Sequence, residues 1–125
     1  MDRTAWEGLI YAQRDLGNAV CLAVAGEIDL DNASELKACL QIAAHSRETI
    51  IVDLADLRYL DSTGIQVLLD AQRKLAIGGR MIVLAVPSAS IRRVLGLVRM
   101  EEIIPTFSSV EEALTYISVA SESEE

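Results

Sequence analysis

Apolar and polar residues alternate along the chain in two patterns, one typical of strands and the other of amphipathic helices. Short apolar runs at residues 20–25, 49–54 and 81–86 predict strands. The first run is apolar on both alternating faces, as expected for a strand covered from both sides or nearly so. We expect Gly26 and Pro87 to end the first and third runs, and Ile103-Ile104 forms a further β-like pair.

Other segments carry apolar residues three to four positions apart, which is the spacing of one helix face. The predicted core-facing residues are Ala33, Leu36, Leu40 and Ala43; Ile65, Leu68, Leu69 and Leu75; Ile91, Val94 and Leu95; and Val110, Leu114 and Ile117. Asp31 or Asn32 is placed to cap the first helix, and Ser108 with Glu111 predicts a capping box for the last. Gly78-Gly79 is expected to end the second helix, because glycine adopts the left-handed C-cap conformation without a Cβ clash.

The alternation of strands with helices predicts the α/β class, in which helices pack against a sheet with parallel strands. The chain has 125 residues, 51% of them hydrophobic, which is enough for one continuous core. We therefore predict one domain over residues 1–119, followed by an acidic, disordered tail at residues 120–125.

Composition and charge argue against several classes of protein. The longest wholly apolar run, residues 81–86, is far shorter than the roughly 20 residues of a membrane-spanning helix. The start of the chain lacks the basic and apolar regions of a secretion signal, so we predict a soluble, cytoplasmic protein without a membrane partner. Cys21 and Cys39 lack metal-ligand spacing and are expected to be reduced core residues.

The formal net charge of -8 would repel a phosphate backbone over most of the surface. We therefore expect no nucleic-acid partner. The adjacent pair Arg92-Arg93 could form a local basic spot or a solvated helix face.

Polar residues gather at two strand-to-helix junctions. Residues 27–32 (Glu-Ile-Asp-Leu-Asp-Asn) follow one predicted strand, and residues 61–64 (Asp-Ser-Thr-Gly) follow the irregular stretch after another. Parallel strands bring such junctions to one edge of a sheet, where α/β folds usually place their binding sites. We expect the two segments to form a single surface.

Ser62 lies at the predicted start of a helix, beside unpaired backbone N–H groups and the positive end of the helix dipole. Such an environment tolerates a phosphate group. The alternative is purely structural, with Asp61 or Ser62 capping the helix and Gly64 permitting close packing. Residue types and spacing leave both interpretations open.

The motifs of enzymes are incomplete in this chain. Residues 60–64 match half of the G-x-S-x-G nucleophile elbow, and the single histidine, His45, is expected to be solvated at the end of the first helix. No phosphate-binding loop is present, and Asp53 lacks the lysine that would hold an acyl phosphate. Asp29 and Asp31 have no His or Cys to complete a metal set. We expect no catalytic residue, no metal and no cofactor.

From about residue 9 to residue 117, the sequence resembles the STAS-domain family of anti-sigma factor antagonists. The resemblance is carried by V-A-G-E-I-D at residues 24–29, by I-V-D-L at 51–54 with L-R-Y-L-D-S-T-G-I at 57–65, and by Gly78-Gly79 with the strand beyond. It implies a mixed, mostly parallel sheet of four to five strands with about four helices. Residues 9–12 would then form an antiparallel edge.

In similar proteins, the first hydroxyl residue of D-S-[ST]-G is phosphorylated by an anti-sigma factor that is itself a serine kinase. The resemblance therefore implies Ser62 as the acceptor, with Thr63 as its neighbour. It also implies that the unphosphorylated form binds the kinase and frees a sigma factor. A metal-dependent serine phosphatase would restore that form, and ATP would be the substrate of the kinase.

Our leading hypothesis is a phosphorylation-controlled switch with Ser62 as the acceptor. The residues expected to form the partner-binding surface are Asp29, Asn32, Asp61, Thr63, Gly64 and Ile65. The competing hypothesis is a scaffold or ligand-binding module that uses the same edge without being phosphorylated.

Overall fold

The computed structural model describes residues 9–45, 49–86 and 88–123. Its strands are β1 (Leu9–Asp15), β2 (Val20–Ile28), β3 (Thr49–Asp53), β4 (Leu57–Leu60), β5 (Met81–Ala85) and β6 (Thr106–Phe107). The helices are α1 (Ala33–Ala44), α2 (Ser62–Ile77), α3 (Ala89–Leu97) and α4 (Val110–Ser123), with a short 3-10 helix at Met100–Glu102. The start of the chain, Pro87 and the last two residues lie outside these ranges, so the predictions made on them are not addressed.

The strands form one mixed sheet in the order β1-β2-β3-β5-β6, with β4 paired to β2. β1 is antiparallel to β2, and all other pairs are parallel. This confirms the α/β class, the four helices and the antiparallel edge at residues 9–12. The sheet has six strands, because the stretch expected to be irregular contains β4 and because β6 contributes a pair of residues.

The two faces of the sheet pack against different helices, as the alternation of side chains along a strand requires. Ile50 and Val52 of β3 belong to the larger core with α1, α2 and α3. Ile51, between them, belongs to a smaller core with Ala113 and Ile117 of α4. Both cysteines are buried, and neither forms a disulfide. No helix in the described ranges is long and apolar enough to cross a membrane.

Gly26 does not end its strand, contrary to our prediction. It has a φ of 98°, and the register between β2 and β4 shifts between Gly26 and Glu27. Gly26 pairs with Leu57 and Glu27 with Tyr59, so the extra residue at this irregularity is Arg58 of β4. Glycine adopts the positive φ without a Cβ clash, and β2 continues to Ile28.

The β-like pair Ile103-Ile104 is not a strand. The backbone N–H groups of both residues donate to the carbonyl of Met100, at 2.9 and 2.8 Å. They therefore continue the 3-10 turn and cannot pair with the sheet. The ladder with β5 begins later, at Thr106.

Two of the predicted caps differ from those in the structure. Asn32 occupies the N-cap position of α1, but neither it nor Asp31 caps the helix through its side chain. The last helix is capped by Ser109, whose hydroxyl accepts from the Glu112 N–H at 3.1 Å. Both Ser108 and Ser109 have a glutamate three positions later, so either serine could begin a capping box. The helix begins after Ser109, which lets Ala113 and Ile117 pack in the smaller core.

The end of α2 agrees with the prediction. Gly79, with a φ of 77°, is the left-handed residue after the C-cap Gly78. The Arg80 N–H donates to the Leu75 carbonyl at 2.9 Å and the Gly79 N–H to that of Ala76 at 3.0 Å. These two bonds form a Schellman motif.

Gly64 lies where the start of α2 packs against the ends of β2 and β4. A Cβ added to Gly64 would lie 2.5 Å from Cγ2 of Ile28 and 2.6 Å from Cδ1 of Leu60. Both distances are shorter than real contacts. Any larger residue would push the start of α2 away from the ends of β2 and β4.

We expect Gly64→Ala to lower the free energy of unfolding by about 1–3 kcal/mol, the usual cost of overpacking a core. Gly96→Ala is the matched control, because a Cβ on Gly96 in α3 would meet nothing within 4 Å. That substitution should be neutral or stabilising by up to about 1 kcal/mol, since alanine favours a helix over glycine. Urea unfolding of both variants measures the difference. Equal losses in the two would contradict the close approach at Gly64.

Candidate functional site

The two polar junctions lie side by side. At the end of the sheet, Glu27 pairs with Tyr59 and Ile28 with Leu60 in a parallel ladder. The Asp61 N–H extends this ladder by donating to the Ile28 carbonyl at 3.2 Å. Residues 27–32 and 61–64 therefore form one edge, as predicted, and we call this pair of segments the switch edge.

Asn32 organises the first of these segments from within. Its Oδ1 accepts from the Asp29 N–H at 2.9 Å, and its Nδ2 donates to the Glu27 carbonyl at 2.8 Å. Only 7% of Asn32 is exposed. The Asp29 carboxylate in turn accepts from the Asp31 N–H at 3.0 Å. Asn32 thus holds the loop in shape and presents almost no surface of its own.

Asp61 caps α2. Its Oδ1 accepts from the Thr63 N–H at 2.9 Å and the Gly64 N–H at 3.3 Å, and it also accepts from the Thr63 hydroxyl. The Thr63 hydroxyl, together with backbone N–H groups of Gly64, Thr63 and Leu30, holds the pKa of Asp61 below its ordinary value against the opposing effect of desolvation. Leu30 belongs to the first segment, so part of the lowering of this pKa comes from the neighbouring loop.

Ser62 is the first residue of α2 and is exposed. Its hydroxyl makes no hydrogen bond to any residue that the structure describes, whereas the neighbouring Thr63 hydroxyl is bonded to Asp61. The positive end of the α2 dipole is adjacent, and the Asp61 carboxylate already accepts from the Thr63 and Gly64 N–H groups there. The Ser62 hydroxyl is therefore accessible at the start of the helix.

The predicted residues of the switch edge differ in exposure. Asp29, Asp61 and Thr63 are half-buried, while Asn32, Gly64 and Ile65 are buried, with 8% of Ile65 exposed. Asn32, Gly64 and Ile65 therefore support the edge from the interior of the protein. The surface itself is formed by Ser62 and the half-buried residues, in an acidic setting that also includes the exposed Glu27 and Asp31.

Sequence reasoning missed two exposed apolar side chains beside this edge. Leu30, between Asp29 and Asp31, is 76% exposed, and Tyr59, paired with Glu27, is 50% exposed. An apolar residue between two carboxylates in a loop was the available signal for Leu30. Tyr59 could not be found, because β4 was not predicted.

Two of the residues considered for catalysis, His45 and Asp53, lie outside the switch edge. His45 is exposed at the C-cap of α1. The Asp53 carboxylate, at the end of β3, accepts from the Ala55 N–H at 3.0 Å. Among the described residues, no group of three or more His, Cys, Asp or Glu side chains could hold a metal ion.

Residues 11–113 match the STAS domain family. The chain is 28% identical over 113 residues to the anti-sigma-F factor antagonist RsfB of Mycobacterium tuberculosis, which covers 90% of this chain and 92% of that protein. The match over residues 11–113 establishes that the chain belongs to the STAS domain family, as the resemblance indicated.

Solved structures have the same fold. An anti-sigma factor antagonist from Mycobacterium paratuberculosis superposes with a TM-score of 0.76 at 24% identity, covering 89% of this chain and 95% of that one. SpoIIAA in its unphosphorylated form has a TM-score of 0.73 at 21% identity, covering 87% of this chain and 96% of that one. The phosphorylated form of SpoIIAA from Bacillus has a TM-score of 0.66 at 22% identity, covering 86% of this chain and 99% of that one.

We expect Asp61→Ala to cost about 1 kcal/mol of stability at neutral pH, because a lost N-cap costs about 0.5–2 kcal/mol. The low pKa of Asp61 sets the pH dependence. A carboxylate whose pKa is lowered by folding stabilises the protein at pH values above its pKa in the unfolded chain, about 3.9 for Asp. This stabilisation is lost as the pH falls through the pKa of the folded state. The difference in the free energy of unfolding between wild type and Asp61→Ala should therefore become smaller below about pH 4.

Urea unfolding at several pH values tests this prediction. Asp70→Asn is the control, since its carboxylate pairs with Arg73 and Gln66 on an exposed helix face. Such pairs contribute little. If the difference in the free energy of unfolding between wild type and Asp61→Ala stays the same as the pH falls below about 4, the role of the Asp61 carboxylate as a charged cap is wrong.

Proposed function

We propose that this protein is a phosphorylation-controlled antagonist of an anti-sigma factor, acting in the cytoplasm without catalytic chemistry of its own. The unphosphorylated form binds a serine-kinase anti-sigma factor through the switch edge and releases the sigma factor. The kinase then uses ATP to phosphorylate Ser62, and the complex dissociates. A metal-dependent serine phosphatase restores the unphosphorylated form. The name of the relative RsfB and the phosphorylated form of SpoIIAA support this proposal.

The contrast between Ser62 and Thr63 is the observation that carries the choice of acceptor. The Ser62 hydroxyl is exposed and unbonded among the described residues, whereas the Thr63 hydroxyl donates to the capping carboxylate of Asp61. Modifying Thr63 would remove the bond from its hydroxyl to the capping carboxylate, while modifying Ser62 leaves every bond of that carboxylate in place. The geometry therefore favours Ser62 as the group that a kinase can reach without loosening the helix.

Electrostatics explain how one phosphate could act as a switch. The group adds about -1.5 to -2 charges, which the α2 dipole tolerates within the domain. On the surface it joins the carboxylates of Asp29 and Asp61 beside the apolar Leu30 and Tyr59. A partner packed against this edge would have to desolvate the phosphate, at a cost of several kcal/mol if it is left unpaired.

We expect incubation with the cognate kinase and ATP to add one phosphate, on Ser62. Mass spectrometry of the digested protein locates it. Ser62→Ala should accept none, while Thr63→Ala should still be phosphorylated on Ser62. Phosphate on another residue, or none on the wild type, would refute the acceptor assignment.

We expect Ser62→Asp to weaken binding to the kinase at least about tenfold, since about 1.4 kcal/mol corresponds to a factor of ten. Its stability should change by no more than about 0.5 kcal/mol, because the residue is exposed and the helix start favours an acid. Ser62→Asn is the matched control, with a similar shape and no charge. Calorimetric titration and thermal unfolding of both variants provide the two measurements.

The same titration separates the switch from a passive scaffold. If Ser62→Asp, Ser62→Asn and Ser62→Ala bind equally well, charge at this position does not control the complex. The switch edge would then serve as a constitutive docking surface.

A further inference from the structure

A cleft between α1 and α2 lies away from the switch edge. Its volume is about 400 Å³, and it is lined by side chains from residues 37–45 in and after α1, from residues 67–75 in α2, and by Arg80. The size falls within the range of about 300–1,000 Å³ typical of small-molecule sites. The cleft shares no residue with residues 27–32 or 61–64.

The floor of the cleft is aliphatic. It is formed by Leu40, Ala44, Val67, Ala71 and Leu75, of which Leu40 and Leu75 are 2% and 4% exposed. The one ring in the lining is the imidazole of His45, which lies at the C-cap of α1 and is exposed. The aliphatic floor offers dispersion contacts to an alkyl chain.

The rim of the cleft is cationic although the protein is acidic. Both lysines of the chain, Lys37 and Lys74, line it together with Arg80. The one carboxylate in the lining, that of Asp70, is bonded to Arg73 at 3.1 Å and to Gln66 at 3.0 Å. In a chain of net charge -8, this leaves a local excess of positive charge beside an apolar floor.

Arg80 is held in place at one side of the cleft. Its Nη1 donates to the Ala44 carbonyl at 2.6 Å, which joins the end of α1 to the residue before β5. A guanidinium has five N–H donors, so one bond to a carbonyl leaves donors for an anion. A fixed guanidinium also loses less conformational freedom on binding than a mobile one.

We propose that this cleft binds a medium-chain fatty carboxylate, with the alkyl chain on the aliphatic floor and the carboxylate among Lys37, Lys74 and Arg80. The choice of a fatty carboxylate rests on both the aliphatic floor and the cationic rim. A short anion would leave the floor uncovered, and an uncharged alkane would leave the cationic rim without a partner. The proposal does not depend on phosphorylation of Ser62.

Isothermal titration of the full chain with decanoate, below its critical micelle concentration, tests the proposal. We expect saturable binding at one site, weaker binding of decanol, and none of acetate. The double variant Lys37→Gln/Lys74→Gln should bind decanoate about tenfold more weakly, equivalent to about 1.4 kcal/mol. The matched control Arg92→Gln/Arg93→Gln removes the same charge from exposed positions on α3 and should bind like the wild type.

A second variant tests the floor independently of charge. Ala71→Leu should fill the cleft and abolish decanoate binding while thermal unfolding shows a folded protein. Equal affinity for acetate and decanoate, equal affinity of the two double variants, or no saturation would each overturn the proposal. Binding to phosphatidylglycerol vesicles without binding to decanoate, or a dimer lost in Lys37→Gln/Lys74→Gln without decanoate binding, would assign the cleft to another occupant.

Discussion

The extension of β2 past Gly26 is the constraint on which the rest of the site depends. β2 pairs with β3 along residues 20–23 and with β4 along residues 26–28. The Asp61 N–H then continues the ladder to the Ile28 carbonyl. Because backbone hydrogen bonds position both junctions, the switch edge rests on the rigid end of a sheet and not on the conformation of two independent loops.

Within the segment Asp-Ser-Thr-Gly, each residue has a different physical task. Asp61 caps the helix, Thr63 bonds to the cap, and Gly64 lets α2 lie against Ile28 and Leu60. These tasks account for the structural interpretation of the motif, and they occupy every position except Ser62. The structural interpretation and the proposed switch are therefore compatible, since a cap supplied by neighbours leaves the serine exposed.

Helix α2 links two regions of opposite electrostatic character. Its first turn belongs to the acidic switch edge, while Lys74 in its last turn lines the cationic cleft beside α1. Its buried residues, Ile65, Leu68 and Leu75, keep the helix fixed on the core between them. The two regions are thus carried by one rigid element, yet they share no residue.

The sequence alone determined the features that depend on near neighbours in the chain. The periods of strand and helix predicted the α/β class and every helix, and residue types at the two junctions located the switch edge, because such signals arise within a few positions. The structure decided what depends on distant partners. β4 exists because it pairs with the far end of β2, β2 continues past Gly26 because that pairing extends to Ile28, and the last helix is capped at Ser109 because Ala113 packs in the core. The cleft needed the packing of α1 against α2, which no local pattern encodes.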